Sequence, residues 1–144
     1  MVVRKATTAD NLALAELACC MWGGTADNRE PEFAELTASP EAACFLAMDG
    51  EKAVGFAQCQ LRHDYVEGCE TSPVGFLEGI YVDAACRRSG IARALLSACE
   101  EWSKSMGCIE FASDCEIDNH NSLAWHLKNG FEEMGRTIWF AKKL

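Results

Sequence analysis

The stretch LEGIYVDAACRRSGIARALL, residues 77–96, decides the fold. An apolar strand runs into a basic turn at 87–90, and an amphipathic helix begins at Ile91. A helix N-terminus offers unpaired N–H groups and a positive dipole end, and glycine lets a phosphate approach the backbone closely. The turn and the first helical residues therefore predict a cradle for a pyrophosphate group. Its members are Arg87, Arg88, Ser89, Gly90, Ile91, Ala92 and Arg93.

Two other phosphate-binding patterns do not fit this stretch. The P-loop pattern G-x-x-x-x-G-K-[ST] is absent from the chain. A dinucleotide-binding fingerprint is excluded as well, because its glycine spacing and its partner strand are missing.

The flanking segments predict a mixed sheet rather than a doubly wound parallel one. Asp49-Gly50 is a hairpin turn between two apolar strands, and Pro31 favours the start of a short second helix. The predicted order is β-α-α-β-β-β-α-β-α-β, an α/β (α+β) fold in one domain over residues 1–144. Strands are predicted at 2–5, 43–48, 52–61, 74–82 and 109–113, with extended structure over 131–144. Helices are predicted from the Thr7-Thr8 cap to Gly23-Gly24 and at 31–39, 91–106 and 120–128.

Glu78 and Gly79 are out of place in the apolar strand VGFLEGIYV, residues 74–82. A glycine inside a strand indicates a bulge or a close approach to the backbone. A carboxylate there is costly unless it is paired, and such groups mark functional sites. Glu78 is therefore a candidate site residue, with a structural ion pair as the alternative.

The charge of the chain points to a cationic partner. Thirteen basic and 22 acidic residues give a net charge of −9. Nucleic-acid binding needs basic patches that replace phosphate counterions, so it is not expected. A cleft lined with negative charge concentrates cations, although acidity that serves only solubility is the other interpretation.

The nine cysteines and the hydropathy pattern indicate the cytoplasm. The cysteines are odd in number, irregularly spaced and free of any C-x-x-C, which suits free thiols in a reducing compartment. No stretch approaches the roughly 20 apolar residues of a membrane span, and the N-terminus lacks the apolar core of a signal peptide. Neither a membrane association nor a targeting segment is therefore expected.

The turn and its surroundings resemble the GCN5-related N-acetyltransferase (GNAT) superfamily. Arg87-x-x-Gly90-x-Ala92 matches its [Q/R]-x-x-G-x-[G/A] coenzyme A signature, and Asn129-Gly130-Phe131 after the last helix matches too. The resemblance implies the GNAT fold, a central mixed and mostly antiparallel sheet with helices on both faces. It also implies acetyl-CoA as the cosubstrate, with Ile80, Tyr81 and Val82 offering backbone groups to its acetyl and pantetheine arm.

A closer resemblance covers nearly the whole chain. Residues 62–82, RHDYVEGCETSPVGFLEGIYV, and 107–114, GCIEFASD, resemble the chromosomally encoded aminoglycoside 6′-N-acetyltransferases. This resemblance implies acetylation of a cationic aminoglycoside at its 6′-amine, which confers resistance, and a homodimer formed through C-terminal strands such as 136–142. It implies substrate contacts from Trp22, Tyr65, Glu78, Asp114 and Asn119.

Two positions depart from this family's pattern. Gly135 stands where the family carries a glutamate near the substrate. Glu132 or Glu133 nearby is a candidate replacement, and the alternative is that one substrate contact is missing. Thr25 stands where some relatives carry histidine. Both departures concern the range of drugs accepted more than the activity.

The residues suggest how the chemistry works. An amine that attacks a thioester must lose a proton, which a carboxylate accepts directly or through water. Glu78 and Asp114 are the candidate catalytic residues, and an N–H at a bulge near Gly79 is a candidate for stabilising the oxyanion. Asp114 and Asn119 also suit helix or turn caps. The three histidines have no metal-like spacing, so no metal is expected. Cys115 has no Cys-His-Asp arrangement around it, so direct transfer is favoured.

Two alternative functions stay open at this stage. An enzyme of the same superfamily that acetylates a polyamine or another metabolite amine suits the negative charge equally well. A non-catalytic acyl-CoA-binding regulatory module would not need Glu78 and Asp114.

Overall fold

The computed structural model describes residues 1–144 and contains one sheet and four helices. The five strands lie in the order β1-β2-β3-β4-β5. They are Val2–Lys5 (β1), Ala42–Asp49 (β2), Lys52–Arg62 (β3), Val74–Val82 (β4) and Phe111–Ser113 (β5). The helices are Asn11–Trp22 (α1), Ala26–Ala38 (α2), Ile91–Ser105 (α3) and His120–Lys128 (α4).

The sheet is mixed, as predicted. The first four strands pair antiparallel with their neighbours, and β4 pairs parallel with β5. The parallel pair is possible because α3 forms the crossover between the two strands.

Helices cover both faces of the sheet, and each face has its own apolar core. Because side chains alternate along a strand, Phe45 of β2 packs towards α3 and Leu46 towards α1 and α2. Leu95 and Leu96 of α3 fill the first core, and Leu14 and Phe33 of α1 and α2 fill the second. The α/β (α+β) prediction is confirmed. No helix has the length and apolar character that a membrane crossing requires.

Helix α2 begins earlier than the sequence predicted. Thr25 caps it, since its side chain accepts a hydrogen bond from the N–H of Asn28 at 3.3 Å. Pro31, predicted at the start, lies inside the helix. The cap sets the start because it satisfies an amide that the helix leaves unpaired, whereas the proline removes only one later hydrogen bond.

The last strand of the predicted order is not formed within the chain. Residues 131–144 carry no strand, and the side chains of Ile138, Trp139 and Phe140 are 77%, 89% and 90% exposed. A strand needs a neighbour to pair with, and this segment has none in the monomer.

Candidate functional site

The two parallel strands β4 and β5 part after Leu77 and Ser113. β4 and β5 pair only from Gly75–Phe111 to Leu77–Ser113, so no strand lies along the β5 side of residues 78–82. An unpaired strand edge presents N–H and C=O groups to an extended ligand. Ile80, Tyr81 and Val82, the predicted coenzyme strand, lie along this open edge.

A bulge lies where the strands part, as the Glu78-Gly79 pattern predicted. Gln58 of β3 pairs with Gly79 and Cys59 pairs with Leu77, so Glu78 has no partner. The extra residue turns Glu78 and Gly79 to the same face, that of α1 and α2. Ile80 consequently returns to the α3 core beside Leu77.

Trp22, the last residue of α1, lies directly on Gly79. A Cβ added to this glycine would lie 2.4 Å from Trp22 Cζ2, so no side chain fits here. The indole also packs edge-on against Phe56 at 5.9 Å and is 40% exposed. The indole of Trp22 therefore borders the bulge and reaches solvent.

Glu78 is paired, and its partner was missed by the sequence reasoning. Arg62 Nη2 lies 2.8 Å and Nε 3.2 Å from Glu78 Oε1, and the guanidinium lies 3.5 Å above the centre of the Phe76 ring. Only one carboxylate oxygen is engaged, which leaves Oε2 without a partner in the chain. The pairing of β3 with β4 carries the signal for this ion pair, because Arg62 is the last residue of β3 and lies on the same face of the sheet as Glu78.

Asp114 follows the last paired residue of β5, as Glu78 follows the last paired residue of β4. Ala112 packs with Val74 and Phe76, so alternation along β5 carries Asp114 to the face of Glu78. Asp114 is exposed and makes no hydrogen bond or ion pair within the chain. The register thus brings the two predicted catalytic carboxylates to neighbouring strand ends.

The remaining predicted substrate residues are further apart. Tyr65 lies on the loop 63–73, is 77% exposed, and donates a hydrogen bond from its hydroxyl to Glu67 Oε2 at 3.1 Å. This bond to a carboxylate raises the pKa of Tyr65. Asn119 caps α4 by accepting a hydrogen bond from the N–H of Ser122 at 3.1 Å. Neither residue makes a hydrogen bond with Glu78 or Asp114.

The turn before α3 has the backbone of an anion site. Arg88 and Gly90 have positive φ angles of 63° and 83°, and Gly90 begins the helix without a side-chain cap. The N–H groups of Ile91, Ala92 and Arg93 have no partner in the chain, while the N–H of Ala94 bonds to Gly90 O at 3.0 Å. Three free amides at the positive end of a helix dipole suit a phosphate. Ile91 itself is buried, so its contribution is its backbone.

The three arginines around this turn have different partners. Arg87 Nε donates to Val82 O at 2.9 Å, which ties the turn to the end of β4. Arg93 Nη1 donates to Asn129 Oδ1 at 3.1 Å, which ties α3 to the end of α4. Arg88 is exposed and makes no hydrogen bond with its side chain. Its guanidinium is therefore the one available to a ligand without loss of an existing contact.

A carboxylate that the sequence gave no reason to select fixes the loop 63–73. Glu110 Oε1 accepts hydrogen bonds from the N–H of Glu70 at 2.9 Å and from the N–H of Thr71 at 2.8 Å, and from the Thr71 hydroxyl. The hydrogen bond from the Thr71 side chain, with those from the two amides, lowers the pKa of Glu110. This link holds the loop of Tyr65 against β5.

More than one carboxylate lies near Gly135. Glu133 Oε1 pairs with Arg136 Nε at 2.6 Å in an exposed contact that leaves Glu133 Oε2 without a partner. A Cβ built on Gly135 would lie 3.7 Å from the Cγ and Oε1 of Glu67. The loop 63–73 therefore supplies one of the carboxylates near this glycine.

Comparison with known proteins gives consistent matches. Residues 11–131 match the Acetyltransferase (GNAT) family. The aminoglycoside N(6′)-acetyltransferase type 1 of Stenotrophomonas maltophilia is 46% identical over 99% of this chain and 93% of its own length. The apo crystal structure of the aminoglycoside 6′-N-acetyltransferase AAC(6′)-IG from Acinetobacter haemolyticus has 40% identity and a TM-score of 0.93, covering 100% of this chain and 99% of that one. AAC(6′)-Iy in complex with the bisubstrate analogue CoA-S-monomethyl-acetylneamine has 36% identity and a TM-score of 0.92, covering 99% and 98%.

Proposed function

Because this chain belongs to the Acetyltransferase (GNAT) family and, within it, to the aminoglycoside N(6′)-acetyltransferases, we propose that it transfers the acetyl group of acetyl-CoA to the 6′-amine of aminoglycosides. Acetylation of the antibiotic would confer resistance on the cell. The observation that carries the proposal is the open edge of β4, which lies between an anion site and a carboxylate. One domain spanning residues 1–144 would hold both substrates.

Acetyl-CoA would bind along the open edge with its pyrophosphate at α3. Ile80, Tyr81 and Val82 would offer backbone groups to the pantetheine arm. Arg88, Ser89, Gly90 and the first amides of α3 would receive the pyrophosphate. Arg87 and Arg93 would hold the turn in place through Val82 and Asn129.

The aminoglycoside would bind on the opposite side of the bulge. Its ammonium groups would contact the free oxygen of Glu78 and the exposed carboxylate of Asp114, with Trp22 beneath a sugar ring. Tyr65 and Asn119 would contribute hydrogen bonds from the rim. The net charge of −9 supports attraction of such a polycation over a distance.

Transfer would be direct. Glu78 or Asp114 takes a proton from the 6′-ammonium, directly or through water, and passes it to solvent. The freed amine attacks the thioester carbon, and an N–H at the bulge stabilises the oxyanion. The C–N bond forms, the nitrogen of the tetrahedral intermediate loses its second proton to water, the C–S bond breaks, and coenzyme A leaves as a thiolate that takes a proton from water. Holding the two substrates in line would supply much of the rate.

The test is thiol release from acetyl-CoA with two matched aminoglycosides, one with a 6′-amine and one with a 6′-hydroxyl. We expect release with the first and little with the second. Release with spermidine or another small amine, but with neither drug, would agree with an acetyltransferase and would reject aminoglycosides as its substrates. Coenzyme A binding without thiol release for any amine would indicate a regulatory module.

The catalytic assignment is tested by the amides Glu78→Gln and Asp114→Asn. We expect kcat/KM for the 6′-amine drug to fall by roughly 10²–10⁴-fold where the carboxylate acts as the base. Glu101→Gln is the matched control, because Glu101 is exposed on α3 and pairs only with Lys104. Near-normal rates in both amide variants would reject the role of the carboxylates.

The C-terminal segment supports a homodimer as part of the proposal. Ile138, Trp139 and Phe140 form a contiguous apolar run that is largely exposed in the single chain. A second copy would supply the strand that residues 136–142 lack. Light scattering should give twice the 15.8 kDa chain mass for the wild type, and Phe140→Lys should shift it towards the monomer. A monomeric wild type at micromolar concentration would reject the dimer.

The cysteines support a cytoplasmic location. All nine are free, and four are buried among apolar residues. Free thiols persist where glutathione keeps them reduced. Cell fractionation in the host would test this placement, and recovery outside the cytoplasm would contradict it.

A further inference from the structure

A line of hydrogen bonds joins α4 to the point where β4 and β5 part. His126 Nδ1 lies 2.7 Å from Ser122 O, and His126 Nε2 lies 2.8 Å from Ser113 Oγ. Ser113 Oγ also lies 3.3 Å from Leu77 O. Ser113 and Leu77 form the last paired positions of the two strands.

A carbonyl oxygen only accepts, so His126 Nδ1 carries the proton that it donates to Ser122 O. Ser113 Oγ lies between His126 Nε2 and Leu77 O, and its hydroxyl donates to Leu77 O at 3.3 Å. The 2.8 Å contact with Nε2 therefore ties the Ser113 side chain, and with it the end of β5, to α4.

The imidazole ring of His126 packs against two aromatic side chains. Trp125 packs edge-on against it at 5.0 Å, and Phe131 does so at 5.0 Å. These contacts and the bond to Ser122 O leave the ring little freedom to rotate. The contact with Ser113 is thus made by a ring of fixed orientation rather than by a mobile surface side chain.

We infer that His126 is a positioning residue for acetyl transfer, because through Ser113 it fixes the end of β5 and hence the place of Asp114 beside Glu78. Ser113 immediately precedes Asp114, and its pairing partner Leu77 immediately precedes Glu78. A displacement of about 1 Å at such a group can cost about 100-fold in rate. The inference rests on the proposed role of Asp114 in binding the aminoglycoside.

The test compares Ser113→Ala, His126→Gln and His126→Asn. The glutamine amide group reaches approximately to the place of Nε2, whereas the shorter asparagine replaces only Nδ1. We expect Ser113→Ala and His126→Asn to lower kcat/KM for the aminoglycoside about 10-fold or more, with KM for acetyl-CoA unchanged. His126→Gln should retain most of the activity, and Ser113→Ala/His126→Asn should be no worse than either single variant.

The control is Ser105→Ala, which removes a hydroxyl that bonds only to Trp102 O at the exposed end of α3. It should leave both KM values unchanged. Equal losses in His126→Gln and His126→Asn, additive losses in the double variant, or wild-type kinetics in Ser113→Ala would each overturn the inference.

A second measurement separates this inference from the proposed function. Calorimetry gives the aminoglycoside Kd of each variant without turnover, and the inference expects a rise of about 10-fold in Ser113→Ala and His126→Asn. A wild type that binds the drug but releases no thiol rejects the proposed reaction alone. Unchanged Kd values in both variants, or a wild type that binds no drug, reject the inference.

Discussion

Replacing Gly79 by alanine tests the geometry of the bulge directly. The new Cβ would lie 2.4 Å from Trp22 Cζ2 and 2.5 Å from Cη2. Carbon atoms in contact lie about 3.5–4.0 Å apart, so the indole must retreat by more than about 1 Å. Since Trp22 is 40% exposed, the ring can swing towards solvent instead of disrupting the core.

The expected stability loss is therefore in the lower half of the overpacking range, about 1–2 kcal/mol. For a chain of this size that lowers the melting temperature by about 3–7 °C. The effect on activity should be larger, because the displaced ring borders the proposed substrate site. We expect kcat/KM for the 6′-amine drug to fall about 10–100-fold, with a smaller change in KM for acetyl-CoA.

The assay is steady-state thiol release together with thermal unfolding of the same preparations. Gly50→Ala is the control, because Gly50 has a φ of +61° in the β2–β3 turn and nothing lies within 4 Å of its added Cβ. It should lose about 1 kcal/mol through backbone strain and keep its kinetics. In a Trp22→Ala background the stability cost of Gly79→Ala should largely disappear. Wild-type kinetics in Gly79→Ala, or an equal cost in both backgrounds, would refute the reasoning.

Three further predictions concern the loop 63–73 and the thiols. Glu110→Gln should raise KM for the aminoglycoside and leave KM for acetyl-CoA unchanged, because a neutral amide oxygen holds the loop of Tyr65 less firmly than the carboxylate does. Hydrogen bonds lower the pKa of Glu110 in the folded state, so its contribution to stability is present above its ordinary pKa of 4.5 and is lost as the pH falls. The urea unfolding curves of wild type and Glu110→Gln should therefore converge in acid. A difference that stays constant with pH would contradict this. Glu67→Gln should raise KM for the aminoglycoside about 2–10-fold if its carboxylate serves the space beside Gly135, and an unchanged KM would show that it does not. Burial raises the pKa of Cys44 to about 12, which leaves roughly one thiolate in 10⁵ at pH 7. Mass spectrometry after brief treatment with a thiol reagent should find Cys20 and Cys115 modified and Cys44 intact. Early modification of Cys44 would contradict its burial.

Local signals predicted most of the fold. Asp49-Gly50 indicates the β2–β3 hairpin, and the hydrophobic patterns of β4 and α3 indicate a strand followed by a crossover helix. Each of these signals depends on neighbouring residues alone. The predicted start of α2 was wrong, because the helix begins at the Thr25 cap, six residues before Pro31. The final strand was wrong for a different reason, since pairing is a property of two segments and residues 131–144 have no partner in the chain.

In the site, too, features that depend on neighbouring residues were predicted, and contacts between distant segments were missed. Glu78-Gly79 and the turn 87–90 are unusual within their own segments, so the sequence indicates a bulge and an anion site. The ion pair of Arg62 with Glu78 and the hydrogen bonds of Glu110 join residues 16 and about 40 positions apart. They become visible only once the register of β3 with β4 and the parallel placement of β5 are known.

The bulge also explains how one strand would serve the two substrates of the proposed reaction, which carry opposite charges. Without it, strict alternation would place Gly79 on the α3 face with Leu77, and Ile80 would face α1. With it, Leu77, Ile80 and Val82 all remain in or against the α3 core. Glu78 and Gly79 share the other face, where Trp22 packs and Arg62 holds one carboxylate oxygen. The amides that suit an anion at the start of α3 and the carboxylates that suit a cation thus lie on opposite sides of β4. The open edge between these sides is where a thioester and an amine would meet, so a residue that removes the bulge would disturb both substrate sites at once.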